Sequence, residues 1–503
     1  MTPHTIRPLA AAATLLATSS AAAATLQVGP GQTYTTPCAA IAAAGAGDEI
    51  DIAAGTYTDS CEINAAGVHL KGVGGQPKID LTGNDHPADY KGIYVINGDD
   101  VIIENLELTG AAIADSEGGN GAGLRIQSNG VVVTGCYIHA NQDGILATAT
   151  TSGGTITIEH TELADNGLGD ACDAVSCVHN VYIGTGGGGD YAKLIFQFNW
   201  DHALATDTAD KGHLLKSRAL ESDILYNRIT GEMGHDSYEI DLPNGGLGIV
   251  VGNVIEKGPD PDNEILLDYG EEGYGAGTNT LYVVNNTFVN DDMASNATFV
   301  DVASGGMLAA AHDNLFVGTG TLSSTGMLSA DNLSTTMPMF VDAAAYDYHL
   351  LMGSPAIGKA VPAGSAGTFS LTPTFEYVQP LGSVARTADQ DLGAFEYGTV
   401  VTPGEDGGAA SPDGGNEGGS TGSSGGGSGS SGSSGEGGGD GGMAGPPPSS
   451  GSHSGCGCLT AGRDGRSDLS WLGVATGLGL LVRRLSRGSW RGTSTPRTAD
   501  RGA

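Results

Sequence analysis

The sequence predicts an all-β fold, a solenoid of stacked coils in which short strands run parallel. Three observations carry this. Phrases of alternating apolar residues around a small polar one recur through the chain. Gly is abundant, at 84 of 503 residues, and it breaks the β-branched runs into short pieces. Leu-rich stretches with a period of 3.6 residues, the mark of helices, are scarce.

The recurring phrase reads VIIENLEL (101–108), VVVTGCYI (131–138), ITIEHTEL (156–163), LIFQFNW (194–200), ILYNRI (224–229), IVVGNVI (249–255), YVVNNTF (282–288) and AAHDNLF (310–316). Aligned on the polar position, it places Asn105, Cys136, His160, Asn199, Asn227, Asn253, Asn286 and Asn314 at equivalent points. The spacing is too irregular for identical repeats and suits coils with loops of variable length. No coil can bury its apolar face alone, so stacking is obligatory.

The first coil, VGPGQTYTTPCAAIAAAGAGDEIDIAAGTY (28–57), contains an Ala-rich stretch, Pro37 to Ala44, that predicts a short helix capping the open end of the stack. Such a cap hides unpaired strand edges. This phrase, with HLKGVGGQPKID (69–80), DNLSTTMPMFVDAAAYDYHLLMGSPAIGKA (331–360) and DQDLGAFEYG (389–398), resembles pectate-lyase-like proteins. The resemblance spans residues 25–398 and implies a single-stranded right-handed parallel β-helix. It says little about activity, because this fold carries lyases, hydrolases, isomerases, adhesins and inert surface proteins.

The two ends predict where the chain works. Residues 1–24, with His4 and Arg7 ahead of an apolar run and Ala22 and Ala24 at a cleavage-like position, read as a secretory signal peptide. Residues 399–455 are almost wholly Gly, Ser, Pro and acidic residues, a disordered linker by composition. In 456–503, Cys456 and Cys458 precede an apolar run, Leu469 to Val482, and Arg483, Arg484 and Arg487. The run is short of the roughly 20 residues that cross a bilayer as a helix. The tail resembles MYXO-CTERM sorting signals, which implies processing by envelope sorting machinery, membrane association and display at the outer surface. Two thiols without further ligands argue against a metal site there. Export favours disulfides: Cys38 with Cys61 and Cys172 with Cys177 are the candidates, with Cys136 left as an internal stacking residue.

Charge excludes one class of partner. Lys plus Arg number 21 against 57 Asp plus Glu, a net charge of −36, so no basic surface exists for nucleic acid. The chain is expected to act as a monomer.

A second phrase follows each turn: GLRIQ (123–127), NVYIG (180–184), HLLKSR (213–218), SYEID (237–241), EILLD (264–268) and TFVD (298–301). Strand alternation sends Arg125, Gln127, Asn180, Tyr182, Lys216, Arg218, Glu239, Asp241, Asp268 and Asp301 outward. Neighbouring rungs lie about 4.8 Å apart, so Lys216 and Arg218 are expected beside Glu239 and Asp241, the densest polar cluster in the chain. Arg125, Tyr182, His202, His213, Asp236 and Asp268 are the expected substrate contacts, with loops 185–192, 201–212 and 231–236 as walls. His139, His160 and His179 read as stacking or turn residues, and Gly186 to Gly189 is no phosphate loop, since no Lys-Ser/Thr follows it.

Two chemistries suit this cluster. Elimination from a uronate needs a base, a cation for the sugar carboxylate and an acid at the leaving oxygen. The segment 212–253 resembles alginate-lyase and chondroitinase-B type enzymes around its Lys-Ser phrase, which implies Lys216 as base; Arg218 would replace an Arg that those enzymes carry one rung further on. The carboxylates Glu239 and Asp241, two residues apart on one strand, instead suit an inverting glycoside hydrolase, and Asp236, Glu264 or Asp268 could also supply one member of the pair. Calcium is the one cofactor that such acidic groups would suit. The expected partner is a polysaccharide, acted on by a lyase-like enzyme or held by a non-catalytic, adhesin-like scaffold.

Overall fold

A computed structural model describes residues 22–399 except 85, 168–177, 185–189, 204–211, 293–296, 327–328 and 389. Cys172, Cys177, Cys456, Cys458, the signal peptide, the linker beyond 399, the sorting tail and much of the predicted loop walls fall outside the described residues. Among the described residues no helix is long and apolar enough to cross a membrane.

Three long parallel sheets of 11, 11 and 10 strands run the length of the domain. Each coil visits them in turn. One coil, for example, contributes Ile102–Glu104 to the first sheet, Glu107–Thr109 to the second and Ala122–Ile126 to the third. The next coil then pairs in parallel and in register with it. The molecule is a right-handed parallel β-helix, the only hand in which such crossovers commonly close. Alternate side chains fill its interior: Ile103, Val133, Ile158, Phe196, Ile224 and Val250 are all fully buried on the first sheet.

The turn between the first and second sheets explains the recurring phrase. Asn199, Asn227, Asn253, Asn286, Asn314 and Asn332 stack as a ladder. In Asn253, Nδ2 donates to Asn286 Oδ1 at 3.0 Å and to Ile224 O at 2.8 Å, while Oδ1 accepts from Asn227 N at 2.8 Å and Asn227 Nδ2 at 2.9 Å. Every polar atom of a buried amide is thereby satisfied, which is why Asn recurs there. The residue before each of the ladder positions from Asn199 to Asn314 is left-handed: Phe198, Tyr226, Gly252, Asn285 and Asp313. Asn105 and His160 belong to this preceding position, not to the ladder. Register places Leu106 and Thr161 level with Cys136, because Tyr137 pairs with Glu107 and Glu162. The alignment slipped by one residue there because a polar side chain stands at the turn where later coils carry it one step on. Cys136 is buried, and burial pushes its thiol up to about 12, which suits a packed residue.

The capping helix is Pro37–Ile41, shorter than expected, with Ala40 and Ile41 buried against the first coils. A disulfide joins Cys38 to Cys61 on the third sheet. At the other end the chain doubles back as three antiparallel pairs, including Phe375–Val378 with Gly382–Ala385. Phe375 packs edge-on against Phe198, and His160 Nδ1 lies 2.7 Å from Leu381 O.

Candidate active site on the third sheet

Register on the third sheet sets one outward column: Val95, Arg125, Leu146, Tyr182, Lys216, Asp241, Asp268 and Asp301 on successive rungs. The strands that build its centre are Leu215–Ser217, Ile240–Leu242 and Ile265–Tyr269. Leu215, Ile240 and Leu267 point into the core from these same strands, so alternation leaves their polar neighbours on the outer face.

Lys216 Nζ lies 2.7 Å from Asp241 Oδ2 and 3.2 Å from Glu272 Oε1. Arg218 straddles the same Glu272, with Nη2 2.8 Å from Oε1 and Nη1 2.8 Å from Oε2, and its Nε donates to Tyr182 Oη at 3.0 Å. Asn244 Oδ1 accepts from Arg218 Nη1. Burial opposes the Arg218 charge, but Glu272 outweighs it and raises the guanidinium further; Glu272 is correspondingly held below its usual value despite its own burial. Lys216 is thus packed between two carboxylates, the setting of a cation that binds anions.

His213 Nε2 lies 3.3 Å from Asp241 Oδ2, while its Nδ1 accepts the Tyr238 backbone N–H. Burial, then the Lys216 charge and His179, push His213 well below its usual value, so it is a neutral imidazole. Asp268 is pushed up to about 9 by burial and then by Asp241 on the neighbouring rung. The face therefore holds an ion-paired Asp241 beside an Asp268 that keeps its proton at neutral pH.

The structure thus brings together Lys216, Arg218, Asp241, Asp268, Tyr182 and His213, with Arg125 in the same column. Glu239 does not join them. It is fully buried, 2.8 Å from Lys257 Nζ, and Asp236 lies 3.3 Å from the same ammonium. The strand begins only at Ile240, so alternation cannot be carried back to Glu239. Burial raises the Glu239 carboxyl well above its usual value, only partly opposed by Lys257. Tyr238, which the alternation that sends Glu239 and Asp241 outward would turn inward, donates its hydroxyl to Glu271 Oε2 at 2.7 Å. Asn180, expected outward, is buried in a second amide stack: Asn141 bonds Asn166, Asn166 bonds Asn180, and Asn180 bonds Asp201. Asp201, level with Leu163 and Ile229, is pushed up to about 7 by burial. His202 lies on the second sheet, stacked 3.9 Å from Trp200 and 3.3 Å from Glu162, away from Lys216. Among the described residues no group of three or more His, Cys, Asp or Glu is gathered to hold a metal ion, so calcium has no ready-made site there.

Residues the sequence reading missed are Glu271, Glu272 and Asn244. The signal for the two acids was the phrase YGEEGYGAG (269–277): paired acids between glycines, at the end of a strand that carries Asp268.

Comparison with known proteins agrees with the fold. A family model described as a right handed beta helix region matches residues 66–191, and a search of curated proteins finds no match. Among solved structures, the chain is similar to pectate lyase Pel9A, at 15% identity over 75% of this chain and 97% of that one, with a TM-score of 0.45. It is also similar to a pectin methylesterase from Aspergillus niger, at 15% identity over 65% and 95%, TM-score 0.32. A PL6 family polysaccharide lyase from Pseudopedobacter saltans is similar at 14% identity over 61% and 92%, TM-score 0.28. Stacked parallel sheets and the matched family region together identify a right-handed β-helix protein.

Proposed function

We propose that this protein is an exported, surface-displayed enzyme that cleaves an acidic polysaccharide by elimination. One observation carries the reading: Lys216 and Arg218 converge on a single carboxylate, with two further carboxyl groups on the next rungs. A uronate carboxylate would take the place between the two cations, which makes the neighbouring C–H more acidic. Asp241 would remove that proton and protonated Asp268 would give its own to the glycosidic oxygen as the C–O bond breaks and a C=C bond forms. This moves the base from Lys216, the expected residue, to Asp241. His213, neutral and beside Asp241, positions it. Of the carboxylates offered to an inverting hydrolase, Glu239 and Asp236 are both bound to Lys257, and Asp241 with Asp268 is the pair left on this column.

The leader and the tail support export and display. The test is incubation of the secreted protein with a panel of uronate and neutral glycans. New ultraviolet absorbance from unsaturated uronate is expected, with Asp241→Asn and Asp268→Asn each reducing the rate by about 100-fold or more. New reducing ends without that absorbance would mean hydrolysis. Binding without cleavage, unaffected by either substitution, would leave a non-catalytic glycan-binding scaffold.

A further inference from the structure

The carboxylate held by Lys216 and Arg218 comes from the protein itself. Glu272 sits on a strap, residues 270–277, that leaves the third sheet directly after Asp268 and Tyr269 and lies across the charged rungs. Lys216 and Arg218 are each only 1% exposed, whereas the Glu272 side chain is 23% exposed. The strap therefore covers the cations while Glu272 remains partly at the surface. Around Glu272 its attachments are polar: Glu272 N to Pro243 O at 3.1 Å, Asn244 Nδ2 to Gly273 O at 3.1 Å, Gly275 N to Asn244 O at 2.9 Å, and Tyr238 Oη to Glu271 Oε2 at 2.7 Å, whereas Tyr274, further along, packs against the core.

We propose that Glu272 is an internal occupant of the carboxylate site, and that the strap is an autoinhibitory cap which an acidic glycan displaces by putting its own carboxylate between Lys216 and Arg218. This rests on the reading above that the two cations receive a sugar carboxylate. The occupant matches in chemistry, since the Arg218 fork grips both Glu272 oxygens and Lys216 one of them, the bidentate geometry that selects a carboxylate. The strap matches in mechanics. Gly270 and Gly273 have φ of 92° and 94°, a region open to glycine but strained for other residues, and two such pivots bracket Glu271 and Glu272. The far end is pinned, because Tyr274 Oη donates to Ala303 O at 2.7 Å. Motion is thereby confined to the segment that carries the two acids.

Lys216 keeps Asp241 at 2.7 Å throughout, and exchange of one carboxylate for another gives Arg218 a new ion pair for the one it loses, so opening does not leave its buried charge uncompensated, a situation that is otherwise strongly destabilising. The closed cap lowers apparent affinity by the fraction of molecules that are open.

The experiment measures binding of oligogalacturonate and oligoguluronate to the secreted protein by calorimetry. Glu272→Gln should bind at least one of them about tenfold tighter or more than the unsubstituted protein. Gly273→Ala offers a second route that touches no charge: a Cβ there meets nothing within 4 Å, but the positive φ strains the closed strap, and a gain of severalfold is expected. Amide hydrogen exchange at Glu272 and Gly275 should speed up when ligand is added. Unchanged or weaker binding by both variants, with binding abolished by Arg218→Ala, would overturn the cap and leave the carboxylate site standing. Binding that ignores Arg218→Ala, or no binding of either glycan to any variant, would overturn both.

Discussion

A carboxyl that keeps its proton is visible in stability before it is visible in turnover. Asp268 titrates near 9 in the fold and near 4 unfolded. Between those values the folded state binds the extra proton, so stability is full below about pH 4 and declines as pH rises toward 9. Asp268→Asn removes the decline. Its melting temperature is expected to exceed that of the unsubstituted protein by a few degrees or more at pH 8 and to match it at pH 3.5, as calorimetry would show. A lower value at pH 8 would mean that Asp268 is ionised and needed as such. If it is also the acid of the reaction, turnover falls away above about pH 9. Of this site, Lys216, Arg218, Asp241 and Asp268 were legible because strand alternation and rung register are short-range rules. Glu272 was not, since it reaches the cluster from a loop with no period.

Within single elements, the Asn ladder gives the clearest energetic expectation. Asn253→Ala deletes the amide bonds to Asn286, Ile224, Val251 and both groups of Asn227, leaving buried partners unsatisfied. Denaturant titration should show a loss of about 5 kcal/mol, from five bonds at about 1 kcal/mol each. Cys136→Ser, at a ladder level without amide bonding, should cost less. The Cys38–Cys61 bond closes a loop of sequence separation 23, for which chain entropy gives about 3 kcal/mol; melting with and without reductant checks this. The strands themselves were legible from alternation, as was the capping helix. The left-handed turn residue at Asn105 and His160 was not, because a polar residue one position early produces the same local pattern.

Across the whole molecule, the returning C-terminal segment decides which faces are free. It covers Phe198 and Tyr226 with Phe375, bonds Arg228 through Gln379, and places Gly393 and Ala394 against Asp313 and Thr287. Truncation after residue 363 should expose this aromatic row. Increased binding of a hydrophobic dye and self-association in light scattering are expected, because an uncovered apolar strip of that kind seeks a partner. The sequence located the segment as the end of the domain but offered no periodicity from which its docking could be read.

Composition and alternation by themselves determined that this chain builds stacked parallel coils and that Lys216, Asp241 and Asp268 share one outward column of the third sheet. These follow from local rules, the two-residue strand period and the need of short strands to stack. Only the tertiary structure decided that Glu239 turns inward to Lys257 while Asp268 and Glu272 complete the charged face. Side chains from separate coils and a strap meet there, and in a buried setting the nearest opposite charge, whatever its distance along the chain, determines where each carboxyl comes to rest.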